Sequence, residues 1–180
     1  MASPKMTTAI LTVTILTAGS ALASDNPGAH RHGQAELQLA IAENQIELFF
    51  TSPAYNLLGF EHRATTEEEK ALVTETTGWL SKTALVDTAE DSCTVVNSTV
   101  NHQADGNDHS HDHKDESSHS DFEITQMLSC SGLDASEAFS TPLTARFPEI
   151  EHLNVEWVWS GGQGSVRLEH GDTSFRLSAQ

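Results

Sequence analysis

From residue 34 onward, apolar and polar positions alternate. In QAELQLAIA, residues 34 to 42, Ala35, Leu37, Leu39 and Ile41 share one side of an extended chain. In QIELFFT, residues 45 to 51, Ile46, Leu48 and Phe50 repeat the pattern, and Glu43-Asn44 between the runs predicts a tight hairpin. Residues 52 to 62, SPAYNLLGFEH, lose the alternation, with Pro53 and Gly59 as breakers of an ordered loop. The period then changes. Thr66 followed by Glu69 has capping-box spacing, and Leu72, Val73, Thr76, Trp79 and Leu80 recur at helical intervals. A helix is expected over roughly residues 67 to 82, with that side turned inward.

Alternation resumes in the second half. Residues 93 to 100 are rich in β-branched side chains, and Phe122, Ile124, Leu128 and Cys130 alternate in a further strand. The two strands are expected to pair, which makes the segment between them an oversized hairpin loop. Residues 134 to 145 suggest a short helix interrupted by Pro142. Leu153, Val155, Trp157 and Trp159 then alternate, and the tryptophans read as core anchors. A Gly-rich turn at residues 160 to 164 leads to Val166 and Leu168, and His170-Gly171-Asp172 turns the chain into Phe175 and Leu177. These read as three closing antiparallel strands. The expected fold class is α+β: a single domain with a mostly antiparallel sheet of about seven strands, one long and one short helix, and a disordered His-rich loop insertion.

Residues 1 to 23 follow a different rule. Lys5 precedes an apolar run over about residues 9 to 18, and Ala21-Leu22-Ala23 supplies a small-residue cleavage pattern. That is the layout of a secretory signal peptide, so the mature domain is expected to be exported and to run over residues 24 to 180. The run is too short to span a bilayer, which takes about 20 apolar residues. No later stretch is apolar enough either, and no direct membrane insertion is expected. Cys93 and Cys130 fit an oxidising compartment and are expected to form a disulfide, pinning both ends of the insertion between them. Zinc ligation is the alternative, although a lone pair without CxxC spacing is a poor zinc signature.

Composition adds one exclusion. Nine Lys and Arg against 26 Asp and Glu give a formal charge of −17, which rules out nucleic acid and anionic lipid as electrostatic partners and concentrates cations instead. Candidate chemistry lies in the segment His102 to Asp121, which contains His102, His109, His111, His113 and His119 among six acidic residues. No apolar side chain larger than Ala occurs there, so it has nothing with which to build a core. Neutral imidazole is the commonest ligand for late divalent metals, and residues 102 to 120 read as a flexible multi-imidazole trap, with Asp112 as a further ligand or a partner to one.

Two further motifs contain histidine. In His30-Arg31-His32-Gly33, residues 30 and 32 share a side of an extended chain and can grip one ion, or else are two surface histidines. Gly59-Phe60-Glu61-His62 places another just before the helix, where a helix-flanking hydrogen-bond role is the alternative. Together with the Ala-Glu-Leu-x-Leu-Ala strand at 35 to 40, Ser-Pro-Ala-x-Asn-Leu-x-Gly-Phe-Glu-His at 52 to 62, two cysteines flanking a His- and Asp-rich insertion, and Phe147-Pro148, these motifs carry a resemblance. The chain resembles the periplasmic zinc-regulated proteins of Gram-negative bacteria, of the ZrgA type, associated with zinc uptake. The resemblance extends over essentially the whole mature chain, and residues 52 to 62 are its most specific part.

What it implies is an exported protein that binds Zn²⁺ or passes it on within an uptake system. The implied partners are the metal ion and an inner-membrane transporter or outer-membrane receptor. By position, His30 and His32 match the family's N-terminal pair and His62 its Gly-Phe-Glu-His histidine. Their convergence on one ion is an inference beyond what spacing establishes. Zinc takes four tetrahedral N, O or S ligands, and three imidazoles with water or a carboxylate give an exchangeable site. Glu61 is better placed to accept an imidazole N–H, fixing the tautomer, than to ligate, and Tyr55 and Asn56 are neighbours. The His-rich segment must be ordered on binding, so its affinity is expected to be lower and its exchange faster. A two-tier arrangement follows, a folded site beside a scavenging loop. His152 and His170 read as ordinary surface residues.

Three functions compete: non-catalytic zinc capture in support of uptake or delivery, a periplasmic buffer or sensor for zinc or other divalent metals, and a zinc-dependent hydrolase. The last is disfavoured by the lack of His-Glu-x-x-His, of a Ser/His/Asp triad and of a Gly-rich phosphate loop.

Overall fold

The first hairpin forms as its alternation requires. Strands β1 (Gln34–Ala42) and β2 (Gln45–Pro53) pair antiparallel with Ala42 opposite Gln45, and Glu43 takes φ 53 in the two-residue turn. The computed structural model describes residues 31–88, 93–103, 120–131, 133 and 138–177. Within them, β2 runs into a short helix α1 (Ala54–Leu58), closed by Gly59 in the left-handed conformation at φ 79. The long helix α2 spans Glu67–Lys82, followed by β3 (Asp87–Thr88), β4 (Cys93–Gln103) and β5 (Asp121–Cys130). The chain closes with β6 (Ala138–Ser140), α3 (Leu143–Arg146), β7 (His152–Trp159), β8 (Gly162–Glu169) and β9 (Ser174–Arg176).

These strands make two sheets. The larger has the order β4-β5-β2-β1-β7-β8, and the smaller the order β3-β6-β9. All pairings are antiparallel except β1 with β7, which run parallel with Leu37 opposite Val155. One face of the large sheet carries Leu37, Leu39, Ile46, Leu48, Phe50, Phe122, Ile124, Leu128, Leu153, Val155 and Trp157, all buried in one core with Leu80, Leu143 and Ile150. The small sheet adds Phe139 and Phe175, whose rings lie 5.8 Å apart, with Trp157 at 6.0 Å from Phe175. The opposite face of the large sheet presents Glu36, Gln38, Glu47 and Glu156 to water. That one-sided burial is why alternation was so clear in the sequence.

Four expectations need correction. There are nine strands among the described residues rather than about seven, in a mixed sheet and a separate small one. Residues 138–140 are strand, and of the helix expected over 134 to 145 the described residues form only Leu143–Arg146, because Pro142 can only begin a helix; residues 134–137 lie outside the described ones. The three closing strands do not form one meander, since β9 leaves β8 and pairs with β6. Helix α2 buries only Thr76 and Leu80 fully, and Leu72 stays exposed.

A buried polar residue explains how α2 docks. Gln126 completes the inward-facing series of β5 and is fully buried. Its Nε2 donates to the carbonyls of Leu80 and Thr83, and its Oε1 accepts from Leu85 N–H. The carboxyl end of a helix leaves carbonyls without partners, and one amide satisfies two such groups here and an N–H as well.

The cysteines form a disulfide, Cys93–Cys130. It does not clamp the base of the insertion. Cys93 opposes Cys130 at one end of the β4–β5 ladder, while Gln103 opposes Asp121 at the other, roughly 30 Å away at strand rise. The ladder, not the bridge, holds the two ends of residues 104–119 together.

Candidate metal centre

Local structure dictates two imidazole–carboxylate pairs, one against α1 and one at the start of α2. The first depends on how the chain approaches β1. Gly33 takes φ 81, and a Cβ there would meet the Glu151 carboxylate at 3.0 Å, so this turn requires glycine. Asn56, buried in α1, fastens the same turn: its Oδ1 accepts from Gly33 N–H at 2.8 Å, and its Nδ2 donates to Gln34 O at 2.8 Å and Ser52 Oγ at 3.2 Å. The Gly33 carbonyl in turn accepts from His152 N–H at 2.8 Å. His32 is thereby laid against α1. Its ring stacks on Tyr55 at 4.5 Å and 10°, and its Nε2 lies 2.9 Å from Glu61 Oε1.

The second pair comes from the helix cap. Thr66 Oγ1 accepts from Glu69 N–H, and Glu69 Oε2 accepts from Thr66 N–H at 3.0 Å, the reciprocal capping box its spacing predicted. Glu69 Oε2 also accepts from Thr65 N–H and Thr65 Oγ1. Its other oxygen, Oε1, lies 2.9 Å from His62 Nε2. Backbone donation from Thr66 and Thr65, then the His62 contact, lowers the Glu69 carboxyl from 4.5 to about 2. Glu69 is therefore a fixed anion at neutral pH. The His62 ring also touches Phe60, 4.8 Å away. In both pairs the imidazole is exposed, with side-chain accessibilities of 53% for His32 and 60% for His62, while each carboxylate is largely covered. Ions can reach the rings from solvent.

The other candidates stand apart. His30 lies outside the described residues, as do His109, His111, His113, His119 and Asp112. His102 is part of β4, opposite Phe122, with its ring stacked on that side chain at 4.2 Å and its Nε2 2.9 Å from Ser120 Oγ. Burial pushes its pKa below the usual imidazole value. Ser120, itself buried, accepts from Ala54 N–H through its carbonyl, so His102 braces the junction of β5 with α1. His152 Nδ1 lies 2.8 Å from Glu169 Oε2 across β7 and β8, without the alignment of a hydrogen bond. His170 is exposed at the turn after β8. Cys93 and Cys130 are taken up by their disulfide. Among the described residues, no three His, Cys, Asp or Glu side chains gather closely enough to hold an ion.

A family model for ZrgA family zinc uptake proteins matches residues 29–177, most of the chain and all of the elements above. The chain belongs to the ZrgA family. Comparison with curated proteins gives no match. For a member of a zinc uptake family the metal is cargo, and the donor set around α1 suits it. Imidazole nitrogen and carboxylate oxygen are ordinary zinc ligands at about 2.0–2.2 Å, so two such donors in a tetrahedron stand about 3.3 Å apart. The nitrogen and oxygen of each pair at 2.9 Å need move only slightly to share an ion, or can stay hydrogen-bonded while the other ring nitrogen ligates.

Sequence reasoning does not identify two residues of this candidate site by role. Asn56 was named as a neighbour, and only the fold shows it fastening Gly33. Glu69 was read as a cap alone. The available signal for Glu69 was its spacing seven residues after His62, which a loop leading into a first helical turn can fold back upon.

Proposed function

We propose that this protein binds Zn²⁺ in the periplasm and supports its uptake or delivery, without catalysis. The observation that carries this reading is the pair of exposed imidazoles, His32 and His62, each paired with a carboxylate, in a chain of a zinc uptake family. His30 is taken as a further ligand beside His32, and water or another carboxylate completes the tetrahedron. Such a site has few protein ligands and faces solvent, which favours exchange over permanent storage. Residues 104–119, with His109, His111, His113 and His119, form a second tier of weaker sites that raise the local zinc supply. The metal is handed to a membrane transporter or receptor of an uptake system.

The test is zinc titration of the mature protein by calorimetry with metal analysis, beside the triple substitution His30→Ala/His32→Ala/His62→Ala and a deletion of residues 104–119. The deletion spares His102 and Ser120, which brace the fold. The triple variant should lose one tight site and keep the weaker ones, and the deletion should do the reverse. Loss of the tight site on deletion would refute the two-tier reading. Growth separates delivery from buffering: a strain lacking the protein should fail in zinc-starved medium, whereas failure only in zinc excess would favour a buffer.

A further inference from the structure

We propose that Glu69 is a positioning residue for zinc: it holds His62 as the Nε2–H tautomer and leaves Nδ1 as the nitrogen that takes the metal. This rests on the zinc-capture reading above and adds to it which ring atom binds and what presents it.

The two oxygens of Glu69 divide their work. Oε2 accepts from Thr65 N–H at 2.7 Å, Thr66 N–H at 3.0 Å and Thr65 Oγ1 at 3.2 Å. That is sufficient to cap α2. Oε1 takes no part in the cap and faces His62 Nε2 at 2.9 Å. A carboxylate only accepts, so Nε2 must carry the proton, and the neutral ring keeps its lone pair at Nδ1. The Phe60 ring lies 4.8 Å from the same imidazole. His32 repeats the arrangement, with Nε2 on Glu61 Oε1 and its ring held against Tyr55. Both imidazoles around α1 are therefore presented through Nδ1, each oriented by a carboxylate at the opposite ring nitrogen. Metal-bound histidines commonly have such a partner, and losing it costs about 10- to 100-fold in affinity.

Glu69→Gln separates holding from capping. Gln also closes a capping box. Its amide oxygen must replace Oε2 to accept from the two backbone N–H groups. The NH₂ then points at His62, and since it donates, Nε2 must accept, which moves the ring proton to Nδ1. We would record long-range ¹H–¹⁵N NMR spectra of the metal-free mature protein at neutral pH, then titrate Zn²⁺ alone. Wild type should show His62 as the Nε2–H tautomer. Glu69→Gln should show Nδ1–H, a lowered thermal midpoint with the fold and cap retained, and an affinity for the tight site about 10- to 100-fold lower. Glu68→Gln removes the same charge from the same helical turn without touching His62, and should change affinity less than about threefold at moderate salt.

An Nδ1–H tautomer in wild type would overturn the inference. So would a Glu69→Gln affinity equal to wild type, or a loss matched by Glu68→Gln. The functional reading fails separately: if His62→Ala leaves zinc binding unchanged in wild type, His62 is not a ligand, and both ideas fall together. If His62→Ala abolishes the tight site while Glu69→Gln spares it, only the role of Glu69 falls.

Discussion

Asn56 bears most directly on the site without being able to bind metal there. Its amide fills three hydrogen-bonding roles at once, two of them to the backbone of Gly33 and Gln34, and it is almost wholly buried. Replacement with Ala leaves Gly33 N–H with no side-chain acceptor, a loss of about 1–3 kcal/mol at the rates usual for buried groups. Because that turn holds His32 against Tyr55, Asn56→Ala should weaken the tight zinc site as well as lower the denaturant midpoint. Unchanged zinc affinity in a destabilised Asn56→Ala protein would show that His32 needs no such support. Gln126 shows the same principle away from the site. In the sequence it interrupts an apolar series at an inward position, which marks a buried polar group but not what it bonds. Its partners on Leu80, Thr83 and Leu85 lie more than 40 positions away in the chain, and no local pattern reaches that far.

Among the elements, α2 joins the candidate site to the body of the protein. Its first turn holds Glu69, and its last is received by Gln126. The capping box was legible because Thr66 and Glu69 stand at the spacing that helix geometry imposes. The inward side of the helix was only half legible: Leu72 fits the period but remains exposed, and only Thr76 and Leu80 are buried. The acid dependence of this element follows from Glu69. Its folded value, about 2, lies below the unfolded 4.5, so its ionised form stabilises the native state. That contribution is fully present above about pH 4.5 and is lost as pH falls toward 2. The stability gap between wild type and Glu69→Ala, followed by thermal unfolding, should be constant from pH 7 to about 5 and shrink below that. A gap that widens on acidification would contradict the assignment.

At the scale of the whole molecule, the disulfide and the candidate site lie on different parts of the fold. Cys93–Cys130 joins the end of the β4–β5 ladder remote from residues 104–119, and its sequence separation of 37 implies on the order of 4 kcal/mol of stabilisation on a chain-entropy account. The double substitution Cys93→Ser/Cys130→Ser should lower global stability by up to that amount and leave the tight zinc affinity within about twofold, since neither His32 nor His62 bonds to the bridge. A large fall in zinc affinity would show that the bridge reaches the site through β5. The sequence by itself determined what depends on neighbours a few positions apart: the first hairpin, the capped helix, the inward faces of β1, β2, β5 and β7, and the histidine motifs of a zinc uptake family. Periodicity, turn chemistry and caps are short-range and survive in a linear string. Only the tertiary structure decided that β7 lies parallel beside β1, that β9 leaves its hairpin for β6, and that His32 faces Glu61 against α1 while His62 faces Glu69 at the start of α2. These choices depend on which distant surfaces exclude water together, and burial of apolar area has no preferred sequence separation.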